Sequence, residues 1–109
     1  MFTHRAGIQL KPDSFIELSQ KIKTKIMPAL RLQKGFCRGI TSIDTIWLTA
    51  IEDTRRETKA DAEIYQRTAY PETLKMLSGV LDAEPATSIF EVADSGFSQS
   101  PKTPNNLIL

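Results

Sequence analysis

Residues 66–77, QRTAYPETLKML, set a proline inside a stretch otherwise rich in the good helix formers Ala, Glu, Leu and Lys. Proline has no backbone N–H to donate and pushes the preceding residue away from helical dihedrals, yet it is well tolerated at the first position of a helix. Tyr70-Pro71-Glu72 therefore reads as one helix ending and another starting, with Glu72 favourably placed near the new N-terminus. Ala62, Tyr65 and Ala69 line one apolar face before the proline, and Leu74, Leu77 and Leu81 continue it afterwards. The proline redirects a helical layer without ending it, and such a layer must lie on another one.

The rest of the chain reads as that second layer. Phe2, His4, Ala6, Ile8 and Leu10 alternate with Thr3, Arg5, Gly7 and Gln9, the period of a strand with one buried face. Ser14 with Glu17 forms a capping-box pattern, and Phe15, Leu18, Ile22, Ile26 and Leu30 make one stripe of a helix reaching about Gln33, with a kink expected at Pro28 and a stop at Gly35. GFCRGITSI (35–43) and TIWLTAI (45–51) read as a hairpin turning around Asp44, and the polar run EDTRRETK as the connection to the second helix, capped by Thr54 or Thr58. TSIFEVA supplies a fourth strand, and the Ser-, Pro- and Asn-rich end has no core of its own. The order β-α-β-β-α-β is an α+β, ferredoxin-like arrangement: an antiparallel sheet with helices on one face. Trp47 and Ile51 on one side of the third strand, and Ile46, Leu48 and Ala50 on the other, predict a homodimer through the open sheet face.

At 109 residues the chain fits a single domain. Fourteen Lys and Arg against 13 Asp and Glu give a net charge of +1, which with the short Arg55-Arg56 pair offers nothing to nucleic acid. No run is long enough to span a membrane and no signal peptide opens the chain, so the cytoplasm is the expected location. The lone Cys37 reads as a strand residue, with no partner for a disulfide or a metal.

IMPALRLQKGF, TKADAEIYQRTAYPETLKML and SIFEVADSGF together resemble the antibiotic biosynthesis monooxygenase type of dimeric α+β barrel domain. The resemblance covers residues 1–97 and leaves 98–109 as a flexible tail. It implies a homodimer in which Phe97 packs on the partner, and a cavity between sheet and helices for a small apolar or aromatic metabolite. The implied activity is that of a cofactor-independent monooxygenase, with no cofactor and no metal; the alternative is a non-catalytic ligand-binding or stress-associated dimer of the same fold. Haem-degrading relatives place a histidine on the second helix, where this chain has Leu74 and Lys75. Related sequences also bring an apolar strand ending in tryptophan up to the T-K-x-x-A helix start, whereas here Arg55-Arg56-Glu57 fills that place.

Oxygenation without a cofactor needs a base, donors for developing negative charge, and a dry cavity. His4 is the candidate base, being the only histidine and on the core-facing stripe of the first strand. Tyr65 and Tyr70 are candidate hydroxyl donors, and Trp47, Arg56 and Leu74 candidate substrate-binding residues. The competing reading is structural: a satisfied core histidine, core aromatics, and Arg56 as a solvated loop charge. Arg5 lies on the opposite face from His4, and Glu52-Asp53 reads as solvation of a polar run. No Gly-rich phosphate loop, Ser-His-Asp set or metal-ligand spacing occurs.

Overall fold

Alternation at the start of the chain becomes strand β1 (Phe2–Gln9) in the computed structural model, which describes residues 1–93. Phe97 and the expected boundary between residues 97 and 98 lie outside the described residues. His4, Ala6 and Ile8 are buried and Arg5 and Gln9 exposed. β1 pairs antiparallel with β3 (Thr49–Arg56) on one side and β4 (Ala86–Glu91) on the other, and β2 (Phe36–Asp44) completes a sheet of order β2-β3-β1-β4. The helices pack on one face, where Leu18, Ile22, Ile26, Leu30, Leu77 and Val80 are each no more than 2% exposed over Ala6, Ile8 and Ala50. Burying side chains of this size contributes roughly 1.5–3 kcal/mol apiece. Among the described residues, no helix is long and apolar enough to cross a membrane.

The first helical segment comprises α1 (Phe15–Lys21), a π-helical turn (Ile22–Ile26) and α2 (Met27–Arg31). Pro28 cannot donate to the carbonyl of Thr24, and the ladder widens just before it, so that the Met27 N–H reaches the Ile22 carbonyl. The capping box is not formed: Ser14 Oγ donates to the Lys11 carbonyl at 2.6 Å, closing the turn that leads into the helix. Gly35 ends the segment at φ 77°, where a Cβ would lie 2.2 Å from Asp61 Oδ2. Gly35→Ala is expected to cost about 2 kcal/mol in urea denaturation. Gly7→Ala, whose added methyl would sit 3.7 Å from the Ala86 carbonyl, should stay within about 0.5 kcal/mol of the parent; equal costs at the two sites would defeat this account.

The third strand is displaced toward the C-terminus from the expected 45–51. Asp44 Oδ1 accepts from the N–H groups of Ile46 (2.9 Å) and Trp47 (3.0 Å), folding 45–48 into a turn with Leu48 at φ 54°. Ile46 and Trp47 therefore project from the turn, 85% and 73% exposed. The polar run expected to be a connection is strand instead. Hydrogen bonding to β1 and β2 on both sides satisfies its backbone, and Ala50, Glu52, Thr54 and Arg56 alternate inward. Thr58 caps α3 (Lys59–Arg67), accepting from Asp61 N at 3.1 Å.

The break between the last two helices falls at Thr68 (φ −113°, ψ −76°), two residues before Tyr70. Tyr70 is helical, and Pro71 sits in the first turn of α4 (Ala69–Leu77), where its missing N–H has no intrahelical partner to lose. The open sheet face is also more polar than the sequence reading held. Arg5 holds Asp53 through two 2.8 Å bonds and lies 5.1 Å over the Phe90 ring; Arg38 pairs with Arg55 across the strands, and Ile51 is 41% exposed.

Candidate functional site

The inner face of the two central strands carries a row of polar side chains where a sheet of this size would ordinarily bury apolar ones. His4 projects from β1, and Glu52, Thr54 and Arg56 from β3, each 7% exposed or less. In the register, His4 faces Thr54 and Ala6 faces Glu52, so Glu52 is a diagonal neighbour of His4 on the same face. Helices α3 and α4 cover the row with Tyr65, Gln66 and Tyr70, and the Thr68 break sets the two tyrosines against one histidine. The His4 ring centroid is 4.9 Å from those of both Tyr65 and Tyr70, and the tyrosine rings are 5.8 Å apart. A strand residue and two helix residues more than sixty positions from it are thus one cluster.

Burial governs the charge states. It holds His4 below its ordinary pKa, only partly offset by the hydrogen bond from Nε2 to Gln66 Oε1. With Nε2 carrying the proton, Nδ1 holds the lone pair of a neutral ring. Burial likewise pushes Glu52 up to about 7, with Asp53 adding to the shift. It also raises both tyrosines, Tyr70 to about 12, and the Glu52 charge raises each further. These phenols stay protonated at neutral pH and can donate hydrogen bonds to an anion.

Arg56 is 1% exposed. Its guanidinium lies 4.2 Å over the Tyr65 ring and 5.2 Å over that of Phe36, and Nη1 donates to Gln33 Oε1 at 2.7 Å. Nε and Nη2 have no partner among the described residues, nor do Glu52 Oε2, Thr54 Oγ1 and Tyr70 Oη. Each such atom costs about 1–3 kcal/mol if left unmet, so this much unmet polarity is a poor way to stabilise a core. A cavity of about 190 Å³ opens beside Arg56 and Tyr65, also lined by Gln33, Lys34, Asp61 and Ala69.

The structure therefore brings together His4, Tyr65, Tyr70 and Arg56. Leu74 is partly buried against the same core, while Trp47, drawn into the hairpin turn by Asp44, is not part of the site. Arg56 is not the solvated loop charge of the competing reading, and Glu52 does not solvate a polar run. Strict alternation of Ala50, Glu52, Thr54 and Arg56 was the signal for both, hidden by the polar composition of the segment. Among the described residues, no three His, Cys, Asp or Glu side chains gather as a metal site.

No protein-family model matches the chain, and no curated protein matches it in sequence. Solved structures do match in fold. One from Bordetella bronchiseptica, provisionally named an antibiotic biosynthesis monooxygenase, is 12% identical with a TM-score of 0.71, over 84% of this chain and 96% of that one. A monooxygenase from the gene ActVA-Orf6 of Streptomyces coelicolor, in complex with the ligand nanaomycin D, is 13% identical with a TM-score of 0.67, over 86% and 88%. A conserved protein from Methanosarcina mazei is 19% identical with a TM-score of 0.65, over 82% and 89%. At such identities the likeness is one of backbone architecture. A four-stranded antiparallel sheet with helices on one face, matched over nearly the whole length of these structures, gives the chain the ferredoxin-like fold of the antibiotic biosynthesis monooxygenase structures.

Proposed function

We propose that this protein binds a small aromatic or otherwise apolar metabolite between the sheet and α3–α4, and oxygenates it without a cofactor. The observation that carries the reading is the buried row of unpartnered polar atoms beside the His4, Tyr65 and Tyr70 rings. In this reading the neutral His4 removes a proton from an acidic C–H of the substrate, and the tyrosine hydroxyls donate to the resulting enolate. The carbanion reacts with oxygen directly: a methylene becomes a carbonyl, the second oxygen atom leaves as water, and the substrate supplies all the electrons. The Streptomyces coelicolor monooxygenase of this fold holds the ligand nanaomycin D, which supports a small-molecule pocket. One observation favours a second reading, a non-catalytic ligand-binding or stress-associated dimer: the His4 ring is 1% exposed and held by Gln66, so substrate must displace packing to reach it.

Oxygen uptake over a panel of compounds with acidic carbons, anthrone among them, separates the two. Saturable uptake above the buffer rate supports oxygenation, saturable binding without uptake supports the second reading, and neither would sink both.

The open sheet face supports assembly. A second copy meeting it across a two-fold axis would cover Ile51 and Phe90, which are 41% and 38% exposed, at the centre of an isologous contact. Light scattering is expected to give about twice the 12.2 kDa chain mass at micromolar concentration. Ile51→Asp should shift it toward the monomer, and a parent protein that stays monomeric would rule out this interface.

A further inference from the structure

Arg5 and Arg56 sit on opposite faces of the same sheet and use their guanidinium groups differently. On the outer face, Arg5 grips the Asp53 carboxylate side-on, Nε to Oδ1 and Nη2 to Oδ2, both at 2.8 Å. On the inner face, the same two nitrogens of Arg56 are buried and have no partner among the described residues. These parallel N–H groups match the two oxygens of a carboxylate.

Three features hold that edge in place. The guanidinium packs on the Tyr65 ring at 4.2 Å and near that of Phe36 at 5.2 Å, which restricts its movement, and Gln33 Oε1 occupies Nη1 as a neutral acceptor. Arg56 also lines the cavity of about 190 Å³, whose charged residues are Lys34, Arg56 and Asp61: two cations against one carboxylate, a net of +1. Asp61 Oδ2 lies over Gly35, where a Cβ would come within 2.2 Å of it. Asp61 is the nearby opposite charge but makes no hydrogen-bonded ion pair with Arg56, so the buried guanidinium is costly for the free protein, and a ligand carboxylate would reduce the cost.

We infer that Arg56 is the recognition residue for a carboxylate on a small planar ligand, bound side-on through Nε and Nη2 with its ring against Tyr65. This deepens the reading of the site as a small-molecule pocket, since it names the anionic group by which the ligand is held. It is independent of turnover, because it concerns equilibrium binding alone.

The test compares benzoate with benzamide, its neutral near-isostere, by calorimetry and by backbone amide shifts in NMR. Benzoate is expected to bind about tenfold or more tightly than benzamide, the size expected for hydrogen bonds to a charged group, with shifts centred on Ile64, Tyr65 and Ala69. Arg56→Lys keeps the charge and loses the fork, and should reduce the preference to less than about threefold. Lys75→Gln, in an exposed surface pair with Glu72 and not among the residues lining the cavity, should keep it. If Arg56→Lys fails to fold, the Nε–H resonance of Arg56 in the parent decides the matter: it should shift on adding benzoate and not on adding benzamide, and an unmoved resonance would overturn the role of Arg56. Equal affinity for the two probes would overturn the carboxylate site and leave the pocket reading standing. Binding of neither would overturn both, and a benzoate preference undiminished in a folded Arg56→Lys protein would overturn the role of Arg56.

Discussion

Glu52→Gln is expected to stabilise the fold at pH 8 by on the order of 3 kcal/mol, the equivalent of the displacement of Glu52 from 4.5 to about 7. Below about pH 4.5 the carboxyl is protonated in both folded and unfolded chains and costs nothing. Between 4.5 and 7 the unfolded chain gives up the proton while the folded chain keeps it, so stability falls as pH rises. Above 7 the whole cost of a buried carboxylate persists. The advantage of the variant should therefore shrink to below about 1 kcal/mol at pH 5. His4 works in the opposite sense: burial holds its folded pKa below 6.5, so protonation disfavours the fold and stability falls as pH drops below that value. In Glu52→Gln only this second dependence remains, giving a flat profile above pH 6.5 and a decline below it. Urea denaturation from pH 5 to 8 measures both. A variant no more stable than the parent at pH 8, or one with the same advantage at pH 5, would show that Glu52 is not buried as described.

The other large effect concerns chemistry. With any substrate that the parent turns over, His4→Ala is expected to lower kcat/KM by on the order of 10²-fold or more, the usual contribution of a general base. The pH profile identifies which group acts. A base with the pKa of His4 puts the acid limb below 6.5, whereas Glu52 would put it near 7 and make Glu52→Gln the inactive variant. Activity of His4→Ala within a few-fold of the parent, together with loss in Glu52→Gln, would transfer the role to the carboxylate. Glu52→Gln then separates two demands on one residue, being a gain in stability and a loss in rate.

Period was the most legible property of the chain. Alternation in residues 2–10 placed His4 inward and Arg5 outward, and the helical stripes placed Tyr65, Leu74 and Leu77 toward the core, all of which the structure bears out. These positions could be read because apolar side chains mark the buried face, and the repeat of 2 or 3.6 is a property of the local backbone. The second half of β3 could not be read that way. Glu52, Thr54 and Arg56 alternate as strictly as any strand, but their polarity resembles that of a solvated loop.

Residue types and local periods by themselves determined the β-α-β-β-α-β order, the helical break near Pro71 and the single histidine on a buried face. Only the tertiary structure decided that Asp44 folds Trp47 out of the sheet, that the break falls at Thr68, and that Glu52 and Arg56 are interior. The physical reason is that a strand paired on both sides and roofed by helices buries whatever side chains its register turns inward. A carboxyl raised to about 7 and a guanidinium with two nitrogens unpartnered among the described residues come from that burial, which no local pattern in the segment encodes.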